Sequence, residues 1–237
     1  MSRWPLRYAG WMARDVALGP GIPMLVVALL AALFVRSVAV ETNLPAGQDA
    51  ILFGVLDLTA RVLVLLGTAG LVSGDFAAGY HRTLFAHPVS PPLYYLQRWL
   101  LGGAAASVAA ALVAGGVAAR LQAPFPWAEA LGRAALLYLV LGGLVFLLST
   151  IMRRDWMAAV LILIVQGLLG VLVGSGLATS SLARALLRVL PPFQLVRLRG
   201  PLPAGGELTY ALVYGLVLLA GALAVLRWRP LASGARE

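Results

Sequence analysis

The chain contains no cysteine and no lysine, only two histidines, and little charge of either sign. Without cysteine there are no disulfides and no thiolate metal sites. The two histidines, His81 and His87, are six residues apart and do not share a helix face, which argues against a histidine metal centre. Only 11% of the 237 residues are charged, whereas 61% are hydrophobic and the mean hydropathy is +0.92. That balance is far from a soluble domain and marks an integral membrane protein. The net charge of +9 comes from arginine alone, spaced mostly between apolar blocks. Such spacing suits anionic lipid headgroups, and no basic stripe or motif points to nucleic acid.

Residues 1–19 set Trp4, Leu6, Tyr8, Trp11 and Met12 among arginines, the composition of an amphipathic elbow helix in the headgroup plane. Six apolar blocks follow, at 20–40, 51–73, 99–119, 131–152, 156–178 and 208–226. Each has about 20 residues, enough for a helix to cross roughly 30 Å of hydrocarbon. The first block reads as a permanent span, because Arg36 interrupts the route to the only small-residue cleavage candidate, Ser37-Val38-Ala39. Arg36, near its far end, can snorkel to the outer interface. With six spans both termini share one side, which carries ten arginines against seven opposite, so both termini are expected in the cytoplasm. The expected fold is one all-α membrane domain over 1–237.

Two segments between spans have their own pattern. In 179–207, Leu182, Leu186, Val189 and Leu190 lie opposite Arg184 and Arg188, and Pro191-Pro192 breaks the run. This reads either as outer amphipathic helices or as a plain connector. Between the second and third spans, Asp75, Phe76, Tyr80, Leu84 and Phe85 have helical spacing, so Asp75 to Ala86 is expected as a short amphipathic helix. Pro88, Pro91 and Pro92 end it, and Tyr94, Tyr95, Arg98 and Trp99 read as an interface belt.

Inside the spans, Asp57 and Arg61 are four apart on one helix face, acid first. An unpaired arginine near the bilayer midplane costs at least about 2.5–3.5 kcal/mol, so Arg61 should face protein or a wet cavity. The pair is either a structural ion pair or part of a path for an anionic or amphipathic substrate. Glycines recur at packing distances: Gly70 and Gly74, Gly102-Gly103, Gly115-Gly116 and Gly142-Gly143. Gly167, Gly170 and Gly174 form a candidate face for a second subunit. Catalytic readings fail on inventory. Gly174-Ser175-Gly176 has no histidine base within any span, intramembrane acids are not paired, and no phosphate-cradling glycine loop occurs.

The run Asp75, Gly79, Leu84-Phe85, Pro88-Val89-Ser90 before a new span resembles the pattern in membrane subunits of ABC-2 type transporters, with Tyr80 after Gly79 and Pro91-Pro92 where a basic residue is common. Elbow, six spans and amphipathic outer helices extend the likeness over the chain. The resemblance implies a permease subunit of an exporter in the bacterial cytoplasmic membrane, paired with a second copy or a relative. This chain would bind no cofactor, and ATP and Mg would be held by a separate ABC ATP-binding subunit. Asp75, Phe76, Gly79, Tyr80, Arg82, Leu84, Phe85 and Pro88 would form the cytoplasmic coupling helix region (75–90) docked on that ATPase. Two other classes stand against it: a membrane anchoring or assembly protein working without an ATPase, and an intramembrane enzyme acting on lipid.

Overall fold

A computed structural model describes residues 5–41, 48–77, 79, 90–120, 126–152, 155–174, 191–192, 195–196 and 203–228. Among these every regular element is helical: α1 (Pro5–Leu18), α2 (Gly21–Glu41), α3 (Gln48–Thr68), α4 (Ser73–Ala77), α5 (Pro91–Arg120), α6 (Trp127–Ile151), α7 (Asp155–Gly174) and α8 (Gly206–Trp228).

Three of them, α5 over Pro91–Ala119, α6 and α8, are long and apolar enough to cross a membrane. A fourth crossing results if Gly10–Leu18 and Gly21–Ser37, bent by 47°, act as one broken span. The bend falls at Gly19-Pro20, where the Gly19 N–H still donates to the Asp15 carbonyl at 2.8 Å but proline has no N–H to extend the ladder. On α1, Met12 and Val16, four apart, are buried, while Trp11 and Leu18 are exposed. On α2 the buried stripe is Met24, Ala31 and Val35, and Leu25, Leu29, Leu30 and Leu33 point outward. An apolar outer surface of this kind fits a lipid environment.

Several boundaries differ from the sequence expectation. The second block does not run unbroken to residue 73: α3 stops at Thr68, whose Oγ1 donates to the Val64 carbonyl at 2.7 Å. Gly70 then takes φ 70°, the left-handed position that ends helices, and the chain turns into α4. Of the expected helix from Asp75 to Ala86, the described residues show α4, which begins at Ser73, and a break at Gly79, at φ 73°; residues 80–86 lie outside the described residues. A right-handed helix cannot pass through that conformation. α5 starts at Pro91, eight residues before the expected span, because prolines fit a first turn whose N–H groups need no intrahelical acceptor. α6 starts at Trp127, four residues before the expected span, and its Arg133 is buried with Nη2 3.4 Å from Glu129 Oε2. The described part of α7 ends at Gly174, and most of 179–207 lies outside the described residues.

The helix α6 is the hub. It contains a π-helical turn, Tyr138–Gly142, where three neighbours converge. The Tyr138 hydroxyl donates to the Trp99 carbonyl of α5 at 2.6 Å, and the two rings lie 4.8 Å apart. Backbones approach closely around this point. A Cβ on Gly102 would stand 2.6 Å from the Gly67 carbonyl oxygen, one on Gly103 would strike the Tyr138 ring, and one on Gly215 of α8 would stand 2.6 Å from Leu139 Cγ. Gly102 and Gly103 therefore serve helix packing as expected. Gly70 serves a turn instead, and Gly74 is exposed with open space beside it.

Candidate functional site: a polar knot at one end of the bundle

The ends of α3 and α6 meet the starts of α5 and α7, together with α1 and α4. The turn 69–72 between α3 and α4 is bound to distant parts of the chain by hydrogen bonds from its own backbone. The Gly70 N–H donates to Asp155 Oδ2 at 2.8 Å. The Val72 and Ser73 N–H groups donate to Ser149 Oγ at 3.1 and 3.0 Å, and that hydroxyl donates in turn to Ser73 Oγ at 3.4 Å. One serine at the end of α6 thereby uses both lone pairs and its proton on the turn. Asp155 and Ser149 are buried. Since backbone N–H groups withdrawn from water need acceptors, these two side chains fix where the turn can sit.

A second fastening lies just beyond. Arg98, two turns into α5, places Nη1 2.9 Å from both Asp75 carboxylate oxygens and Nη2 3.3 Å from Asp15 Oδ2. One guanidinium thus joins α1, α4 and α5, and its planar fork suits two carboxylates better than a lysine would. The Asp75 and Arg98 side chains are 12% and 21% exposed and Asp15 is 46% exposed, so the Asp75 contact is the stronger. Tyr94 and Tyr95 pack edge to face beside it, ring centres 5.1 Å apart, and both are buried.

These contacts revise several expected roles. Tyr94, Tyr95 and Trp99 are buried in the protein rather than set out as an interface belt. Asp75 turns inward to Arg98 rather than presenting a free charge, and Phe76 is half-buried against the core rather than exposed. Of the other expected coupling residues, Gly79 closes the short helix, while Tyr80, Arg82, Leu84, Phe85 and Pro88 lie outside the described residues. Asp57 and Arg61 do pair, at 2.6 Å, each about one-fifth exposed on α3, and stand apart from the knot. Asp57 Oδ1 and Arg61 Nε are enclosed without a hydrogen-bond partner among the described residues. Gly167 is exposed with nothing near its missing side chain, and the surroundings of Gly170 and Gly174 lie outside the described residues.

Sequence reasoning missed Asp15, Ser149 and Asp155. Asp155 carried a signal, as an acid opening an apolar helix directly after two arginines; Ser149 carried none, being one of many small polar residues. No protein-family model and no curated protein sequence matches the chain.

Proposed function

We propose that the chain is the permease subunit of an ATP-driven exporter of the ABC-2 type. It would move a hydrophobic or amphipathic substrate across the bacterial cytoplasmic membrane with energy from a separate ATP-binding subunit. In this reading α2, α3, α5, α6, α7 and α8 are six spans, both termini are cytoplasmic, and two such subunits work together. The stretch from Asp75 to Ser90, with Phe76, Gly79, Tyr80, Arg82, Leu84, Phe85 and Pro88, meets the ATPase.

The observation that carries the reading is how the chain enters that stretch. Residues 70–75 are held by Asp155, Ser149 and Arg98, hence by α7, α6, α5 and, through Asp15, α1. A displacement of residues 75–90 would be passed through short, charged or buried contacts to four helices at once rather than absorbed in a loose loop. Mechanical coupling of nucleotide binding to span movement needs that property. Within the spans, the Asp57–Arg61 pair is the place for contact with a negatively charged part of the substrate.

The deciding experiment is purification of the tagged chain from its native host in mild detergent, with identification of what accompanies it and measurement of ATP hydrolysis. A stoichiometric P-loop ATPase, lost when Leu84 and Phe85 are both replaced by alanine, is the expected result. A pure chain with no ATPase would overturn the proposal and leave an anchoring protein.

A further inference from the structure

At the end of the bundle opposite the polar knot, residues 32–36 of α2 and 113–119 of α5 leave a groove of about 330 Å³. It is lined by Ala32, Val35, Val113, Gly116 and Val117 together with Arg36. The lining is almost wholly apolar and made of small side chains, so neither helix fills the space between them. A Cβ built on Gly116 would have no atom within 4 Å, which identifies this glycine as open wall rather than a packing contact. Arg36 is exposed, and it takes part in none of the ion pairs among the described side chains.

We propose that this groove binds one anionic phospholipid, an acyl chain lying along Gly116 and Val117 and the phosphate held by the Arg36 guanidinium. Three features select that occupant. The helices beside the groove include one long and apolar enough to span a bilayer, so lipid is the surrounding medium. An apolar slot next to a single cation matches an amphiphile with one negative head. Arginine also offers a forked set of donors to phosphate oxygens. The inference requires membrane embedding but not ATP-driven transport, so the two proposals stand or fall separately.

The test uses the full-length chain, reconstituted in vesicles of equal parts phosphatidylglycerol and phosphatidylcholine, extracted gently and weighed by native mass spectrometry. The wild type is expected to retain phosphatidylglycerol preferentially. Arg36→Gln should lose about a fivefold preference, the worth of one arginine at an anionic surface. Gly116→Leu, which fills the groove and improves helix propensity, should lower retention of both lipids. Arg14→Gln, on α1 at the other end, should change nothing. If Gly116→Leu does not fold, Ala32→Leu on the facing wall replaces it. Unchanged phosphatidylglycerol retention in Arg36→Gln and in the groove-filling variant would overturn the proposal. So would a change in subunit number with lipid retention intact, because a second copy would then be the occupant.

Discussion

Arg98 pairs with both Asp75 and Asp15. Truncation to alanine leaves the inward-facing Asp75 without its partner. A hydrogen bond to a charged group is worth about 1.5–3 kcal/mol, so Arg98→Ala should lower thermal stability in detergent by that amount. Arg98→Lys keeps the charge but not the fork and should fall between alanine and wild type. Ser149→Ala removes the acceptor of two backbone N–H groups and should cost about 1–3 kcal/mol, read in the same assay. Ser149→Thr, which keeps the hydroxyl, should cost less. None of this was legible from residue types: a lone arginine near a span start reads as an interface residue until its partners, 23 and 83 positions away in the chain, are located.

Among the elements, α6 and the turn after α3 depend on backbone geometry rather than on apolar content. Gly70 sits at φ 70°, where an L side chain is strained. Gly70→Ala should therefore destabilise by about 1–2 kcal/mol although no atom stands near the added methyl. Its companion Gly74 has open space and no such backbone, so Gly74→Ala should be close to neutral. Gly103→Leu would drive a side chain into the Tyr138 ring and should cost at least about 1–3 kcal/mol through overpacking. Comparing the three by thermal unfolding separates the turn glycine, the open glycine and the packing glycine, which look alike in the sequence. The three helices long and apolar enough to cross a membrane, α5, α6 and α8, overlap the blocks at 99–119, 131–152 and 208–226 because apolar runs are long; the helix ends were not readable. Helix ends are set by local devices such as Pro91-Pro92 opening α5 and Gly70 closing α3, and proline or glycine signals a break without saying on which side the helix lies.

For the molecule as a whole, the absence of cysteine makes topology directly testable. Single cysteines introduced at Ser2 and Ser233 should both react with an impermeant reagent only from the cytoplasmic side if six spans are correct, and on opposite sides if the number is odd. The sequence by itself determined that the chain carries apolar runs long enough to cross a membrane, that it is helical, and that Asp57 and Arg61 share a face. Each follows from composition or from a 3.6-residue period, which act locally along the chain. The tertiary structure alone decided that Asp75 turns inward, that Asp155 and Ser149 hold the turn before it, and that Gly116 opens a groove while Gly102 and Gly103 close a packing contact. Those outcomes depend on which helices lie side by side. A pair of residues far apart in sequence acquires its interaction only when the backbone has brought the two within hydrogen-bonding reach.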